Sequence, residues 1–349
     1  SLAWRRVSTT LPESFAHTRA GHCGSGSLRD LLAFHGLDFG AGPLSEGTVF
    51  GLAGGLGFLY ASTPGQHTPY YLVGRTATAE EDVARHLGLG LELRETDDPA
   101  EGWAWVKDEL DAGRPPMVWA DIMELEYLRV RMHNSRHLIV LVGYDEAEGV
   151  AWIADNDRED LQRCSLTSLA AARNSPAFPG PNRHRVYLYD WPDALPPATE
   201  AIRAALGTAL ENMTSGGTPI AGLDGGTGLA GVDAFASAYA GWPAAFGDGL
   251  EAALKGLWVF VVKAGTGGAM FRSLHAGFLR DAADLLEDAR LASLADTYDA
   301  LSAAWVALAD AAAAGDHAGG LPHVDAIARL EHEGVAATQA WLAAGAAAR

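Results

Sequence analysis

The sequence predicts an α+β domain, a helix packed on an antiparallel sheet, followed by an α-helical domain. Three observations carry that prediction. A glycine-rich turn, Gly21-His22-Cys23-Gly24-Ser25-Gly26-Ser27, runs straight into residues with helical spacing. Two apolar runs, 138–144 and 150–154, are separated by the polar turn Asp145-Glu146-Ala147-Glu148-Gly149 and read as a buried hairpin. Beyond Trp191 the composition turns to alanine, with apolar residues recurring at helical period. Pro192, Pro196 and Pro197 preclude a regular element at that junction. The expected domains are therefore 1–192 and 193–349.

Each element follows from local pattern. Leu28, Leu31, Leu32 and His35 share one helix face, and Gly36 stops the helix. Residues 48–60 form an apolar stretch holding Gly51, Gly54, Gly55 and Gly57. Such glycines either line a ligand pocket or permit close backbone packing. No helix follows at the place a dinucleotide fingerprint requires, which excludes that reading. Strands are expected at 69–74, 89–94, 117–121, 138–144, 150–154 and 186–189, and helices at 80–87 and 100–112. Residues 123–128 form a lid or a substrate-side loop. In the second domain, helices are expected at 198–213, 233–240, from 248, and at 271–288, 291–314 and 324–342, their stripes making a packed bundle.

The chemistry concentrates in the first domain. Cys23 stands at the open N-terminal end of its helix, where unpaired N–H groups and the positive dipole end favour a thiolate. A thiolate needs a base. His137 lies at the mouth of the strand 138–144, and the hairpin brings it near Asp155 at the end of the next strand. A carboxylate there orients the imidazole and stabilises the imidazolium. A lone cysteine is most often a small buried residue. The order of cysteine at a helix start, histidine at a strand mouth and aspartate at the next strand's end is far more specific. His22 competes as base, but its adjacency to Cys23 favours His137. Asn156 and Asp157 compete with Asp155. Gly265-Thr266-Gly267-Gly268 precedes a helix and either contacts an anion, with Gly267, Gly268 and Arg272, or simply caps that helix. No set of metal ligands is expected: His133 and His137 are four apart without the glutamate a zinc-protease helix carries.

This order of Cys-helix, His-strand, turn and strand-Asp resembles the papain-like cysteine fold. More narrowly, His22-Cys23 with residues 28–36, Leu44-Ser45-Glu46 and Phe50-Gly51-Leu52-Ala53-Gly54-Gly55-Leu56-Gly57-Phe58 resembles the N-terminal domain of the butirosin biosynthesis protein H family. Lys263-Ala264-Gly265-Thr266-Gly267-Gly268-Ala269-Met270-Phe271-Arg272 resembles the helical domain that follows it. The resemblance implies an acyltransferase of specialised-metabolite biosynthesis. It would move an acyl or aminoacyl group from the pantetheine thioester of an acyl carrier protein, or a small-molecule thioester, onto an amine or other small-molecule acceptor. By position it makes Cys23 the nucleophile, His137 the base and Asp155 the orienting acid. His17 stands where papain-like enzymes keep an oxyanion-binding glutamine. His22, Gly24, Gly54 and Gly55 are the further oxyanion or substrate-lining candidates. The same machinery suits a cysteine hydrolase (peptidase, amidase or thioesterase) or a chain-releasing cyclase. A catalytically silent binding protein is the reading from another class.

Bulk properties narrow the setting. Of 349 residues, 48% are apolar and 20% charged, as in ordinary globular proteins, and the length suits two cores. A formal charge of −19 argues against nucleic acid and anionic membrane surfaces. An acidic carrier protein would need a local basic patch, for which Arg129, Arg131 and Arg136 are candidates. Cys164 reads as a packed residue, and without a structural disulfide the chain suits a reducing cytoplasm. No run of signal-peptide length is expected at the N-terminus, and 257–262 is too short to span a bilayer. No bound cofactor is expected; a phosphopantetheine-linked donor is expected as substrate.

Overall fold

The computed structural model describes residues 14–66, 68–217 and 222–347. The chain divides into two compact units and passes from one to the other three times. One unit holds the described residues up to Leu44 together with Gly88–Leu195; the other holds Ser45–Leu87 and the described residues from Pro196 onward. The first segment carries α1 (Cys23–Phe34). The second carries α2 (Glu46–Leu52), β1 (Leu56–Ser62), β2 (Tyr70–Arg75) and α3 (Ala79–Leu87). The third carries β3 (Gly90–Arg94), α4 (Pro99–Asp111), β4 (Met117–Ala120), β5 (His137–Asp145), β6 (Val150–Ala154), β7 (Gln162–Ser165), α5 (Leu166–Arg173) and β8 (Val186–Asp190). The fourth carries α6 (Ala198–Thr214), β9 (Gly225–Thr227), α7 (Gly228–Phe246), α8 (Leu250–Trp258), α9 (Arg272–Leu286), α10 (Ala289–Ala313) and α11 (His317–Ala347).

The first unit is built on an antiparallel sheet of strand order β3-β8-β4-β5-β6-β7. Its central strand β5 is buried from His137 to Tyr144, the signature of a strand covered on both faces. Ile139 and Leu141 pack with Val106 and Leu110 of α4 and with Leu169 and Ala172 of α5. Leu138, Val140 and Val142 alternate with them and are equally buried. Helix α1 packs on β5 through a face that buries Leu28, Leu31 and Leu32. The unit is therefore α+β, as expected.

The second unit holds the three-stranded antiparallel sheet β2-β1-β9 among its helices. Here the structure departs from the expected division at 192/193. Residues 45–87 pack with the C-terminal helices, so the second unit is not purely helical. The cause is non-local: β1 finds its second partner in Gly225–Thr227, a pairing that no local period reveals. Gly54 and Gly55, expected to line a pocket or permit packing, do the latter. A Cβ on Gly54 would lie 2.7 Å from Thr208 Cγ2, and one on Gly55 would lie 2.6 Å from the Phe50 ring. Both sites are filled by side chains of their own unit.

Arg272 ties this unit together. Its Nε–H donates to Glu331 Oε1 at 2.6 Å, and its Nη1–H groups reach the carbonyls of Gly57, Gly74 and Met270 at 3.0, 2.6 and 3.1 Å. Both charged side chains are wholly buried. The expectation that Arg272 meets an anion alongside Gly267 and Gly268 is therefore corrected, because Glu331 and three carbonyls occupy it. Gly267 and Gly268 adopt left-handed conformations in a turn that Thr266 closes by accepting the Gly268 N–H at 3.2 Å.

Glu331→Gln leaves the buried guanidinium without its counter-charge. It should lower unfolding stability by about 3–5 kcal/mol, read as a fall in the urea midpoint at unchanged slope.

Candidate functional site

The site begins at the first turn of α1. His22 is its N-cap, with extended backbone (φ −142°, ψ 137°), and Cys23 is the first helical residue. The Ser25 N–H donates to His22 Nδ1 at 3.3 Å, and Ser25 Oγ lies 3.1 Å from the same nitrogen. An unprotonated Nδ1 satisfies both contacts, since a proton there would face the Ser25 N–H donor to donor. Cys23 and Gly24 carry the remaining N–H groups of this turn, which helical geometry leaves without intrahelical acceptors. Gly26 belongs here for a steric reason: a Cβ on it would meet Ala20 Cβ at 2.5 Å. That close approach lets the segment before α1 pair with the loop after β6. Ala20 N–H donates to the Asn156 carbonyl at 2.9 Å, and Asn156 Nδ2–H donates back to the Ala20 carbonyl at 3.1 Å.

His137 opens β5 opposite Ala120 of β4. Asp155 follows β6, and the pairing of Val140 with Ala154 sets it diagonal to His137 rather than directly opposite. His137 Nε2–H donates to Asp155 Oδ2 at 2.9 Å. The same oxygen accepts the Tyr127 hydroxyl at 2.7 Å, and Oδ1 accepts the Asp157 N–H at 3.0 Å. Asp155 has no exposed surface, so these three donors are its substitute for water. With Nε2 committed, Nδ1 of His137 is the nitrogen left for the Cys23 thiol, to which the imidazole is hydrogen-bonded.

Electrostatics follow from this geometry. Burial would raise the Cys23 thiol, but the hydrogen bonds of His137 and His22 and the charge of His137 hold it well below the ordinary thiol range. Burial would likewise discharge His137. The Asp155 charge and hydrogen bond, with Cys23 beside it, instead raise its imidazole well above the ordinary histidine range. Burial raises Asp155, yet His137, the Asp157 N–H and the Tyr127 hydroxyl together bring it to about 2. The arrangement favours a thiolate–imidazolium pair backed by an ionised carboxylate.

The structure brings Cys23, His137 and Asp155 together and resolves two alternatives. Asn156 is occupied by Ala20, and the Asp157 carboxylate pairs with Arg158 at 2.6 Å, so Asp155 is the residue that meets the histidine. His22 spends its Nδ1 lone pair on the helix cap, whereas His137 is backed by a carboxylate. His17 is a correction. Its Nδ1–H donates to Asp30 Oδ2 at 2.6 Å, and its Nε2–H to the carbonyls of Asp155 and Arg158 at 3.1 and 2.9 Å. Both nitrogens are spent, so it straps α1 to the loop carrying Asp155 and has no N–H left for an oxyanion. Burial lowers its pKa, but Asp30 more than compensates and leaves it raised.

Sequence reasoning missed Tyr127 and Asp30 as parts of this site. Asp30 was detectable, because it lies two turns from Cys23 on α1; Tyr127 was hidden in the irregular segment 121–136. Arg129, Arg131 and Arg136 are exposed on that segment, and the Arg136 guanidinium lies 4.9 Å from the Trp119 ring centroid. Cys164 is buried in the core, where burial pushes its thiol up to about 12, and both cysteines are free.

Fold and site together define an α+β protein with a cysteine, histidine and aspartate assembled at a helix N-terminus. Residues 22–156 match the family described as Butirosin biosynthesis protein H, N-terminal, and residues 167–339 match a domain of unknown function, DUF4872. The N-terminal match agrees with the resemblance of the chain to the butirosin biosynthesis protein H family. The first match begins at His22 and ends just past Asp155, so it spans the whole Cys23, His137 and Asp155 set. No curated protein matches the chain. Among the described residues, no helix is long and apolar enough to cross a membrane.

Two measurements check the charge arrangement. Alkylation of Cys23 by iodoacetamide should stay fast from alkaline to neutral pH and fall only in acid. In His137→Ala the fall should move into the ordinary thiol range, leaving alkylation at pH 6 about a hundredfold slower. For His17, the raised pKa means its stabilisation is complete below the unfolded value of about 6.5 and fades as pH rises through the folded one. The stability gap between wild type and His17→Phe, about 1–3 kcal/mol, should therefore be widest at low pH and narrow on the alkaline side.

Proposed function

We propose that the chain is a cysteine-dependent acyltransferase of specialised-metabolite biosynthesis. The observation that carries this reading is the hydrogen-bonded set of Cys23, His137 and Asp155 inside the stretch that matches the butirosin family domain. His137 takes the Cys23 proton, and the thiolate attacks the carbonyl carbon of an acyl thioester. The N–H groups of Cys23 and Gly24 are the donors at the helix start for the oxyanion that forms. Collapse of that intermediate breaks the donor's C–S bond, and the departing thiol receives the proton from His137. An acyl-Cys23 thioester remains. An amine or other nucleophile then attacks it, gives its proton to His137 and expels the Cys23 thiolate. Asp155 and Tyr127 hold the imidazole and its counter-charge through both halves.

The donor is a phosphopantetheine thioester on an acyl carrier protein, or a small-molecule thioester, and it is a substrate rather than a resident cofactor. Arg129, Arg131 and Arg136, exposed on the segment leading into His137, supply positive charge for an acidic carrier in an otherwise acidic chain. The acceptor is a small molecule, no nucleic acid or membrane takes part, and the setting is the cytoplasm.

Intact-mass spectrometry with a panel of carrier-protein and pantetheine thioesters tests the proposal. Wild type should gain the acyl mass, Cys23→Ala should not, and added amines should discharge the adduct faster than water. Discharge by water alone would replace transfer with hydrolysis. Absence of an adduct with every donor would overturn the reading.

A further inference from the structure

His17 grips both halves of the Cys23 site through a single ring. Its Nδ1 lies 2.6 Å from Asp30 Oδ2, on α1 two turns beyond Cys23. Its Nε2 lies 3.1 Å from the carbonyl of Asp155 itself and 2.9 Å from that of Arg158. The side chain is 3% exposed, so water does not stand in for any of these partners.

All three partners are oxygens without a proton to give. Carbonyls only accept. Asp30 engages its other oxygen, Oδ1, with the Arg29 Nε–H and Nη2–H at 3.1 and 3.0 Å, contacts that suit a carboxylate. A neutral imidazole carries one N–H, so either tautomer would set a ring lone pair against an oxygen lone pair. Only the imidazolium, with an N–H on each nitrogen, satisfies the three contacts.

The groups around the ring agree with that state. Burial opposes the charge, as does the Arg29 guanidinium, but the Asp30 carboxylate and the Arg158 carbonyl outweigh them. On the loop after β6, Asp155 turns its carboxylate to His137 and Tyr127, and the Arg158 guanidinium turns to Asp157 and the carbonyls of Tyr127 and Leu128. Glu159 accepts the backbone N–H of Arg19. The neighbouring strap, Ala20 with Asn156, has no titrating member. Of these two joints between the α1 side and the Asp155 loop, His17 is the one that a proton controls.

We propose that His17 is a positioning residue for the Cys23 and His137 pair: as an imidazolium it fixes the spacing between the helix that carries Cys23 and the loop that carries Asp155. His137 follows Asp155 through its Nε2 hydrogen bond, so that spacing sets how closely its Nδ1 meets the thiol. Loss of the His17 proton sets a lone pair against one of its oxygens and loosens the joint. The inference concerns the resting site and stands whether that site transfers an acyl group or hydrolyses one.

Histidine C2–H exchange, followed by mass spectrometry across pH on the full chain, reads the two imidazoles separately. Trypsin releases peptides 7–19 and 137–158, in which His17 and His137 are the only histidines. In wild type the His17 midpoint should lie above the ordinary value of about 6.5. His17→Gln keeps N–H groups but no charge. In it the Cys23 alkylation midpoint should rise and the His137 midpoint fall, each by about one pH unit, a tenfold change in the proton equilibrium. Asp30→Asn removes the carboxylate that faces the ring. It should lower the His17 midpoint and move Cys23 and His137 in the same directions, and it carries the variant arm should His17→Gln not fold. The wild-type midpoint needs no variant. A His17 midpoint at or below the ordinary value, or unmoved Cys23 and His137 midpoints in either folded variant, would overturn the proposal.

Discussion

A carboxylate without exposed surface has to find every hydrogen-bond donor within the protein, and the first unit is organised around that requirement at Asp155. His137, Tyr127 and the Asp157 N–H come from a strand mouth, an irregular loop and the residue two places on. Meeting Asp155 fixes which nitrogen of His137 carries its proton toward the carboxylate and which remains for Cys23. The thiolate–imidazolium pair that this arrangement favours is therefore a consequence of how a buried charge is satisfied. Without Asp155, burial would favour a neutral imidazole and a neutral thiol.

Cys23 must also be held near that carboxylate, and covalent connectivity does not do it, because α1 and the loop after β6 are far apart in sequence. Two non-covalent straps act instead. Ala20 and Asn156 exchange hydrogen bonds in both directions, and His17 bridges Asp30 of α1 to the carbonyls of Asp155 and Arg158. Gly26 makes the first strap possible by removing the one Cβ that would collide with Ala20. His17 thereby holds a position where the resemblance implies an oxyanion donor, but with both nitrogens turned to structural work. In the proposed acyl transfer the oxyanion therefore falls to the backbone of the first helical turn.

The same constraint separates two buried arginines elsewhere in the chain. Arg272 is buried with a counter-charge, Glu331, whereas Arg173 is buried with carbonyls alone. Equal burial comes with unequal compensation: the first meets a carboxylate, the second only its neighbours' backbone. Sequence context does not distinguish them: each arginine sits at one end of a helix.

What the sequence by itself determined was local. The helix after Cys23, the hairpin 137–154, the proline-rich junction near 195 and the alanine-rich helices beyond it were all readable, since hydrophobic period, capping and turn chemistry act over a few residues. Cys23, His137 and Asp155 were legible because each stands at an element end that those signals mark. The tertiary structure alone decided what distant segments do to one another. It placed residues 45–87 with the C-terminal helices through the pairing of β1 with β9, turned His17 into a strap and Arg272 into a fastening, and set Tyr127 on Asp155. Those outcomes depend on which buried polar groups remain to be satisfied once the elements have packed, a condition that belongs to the folded chain as a whole.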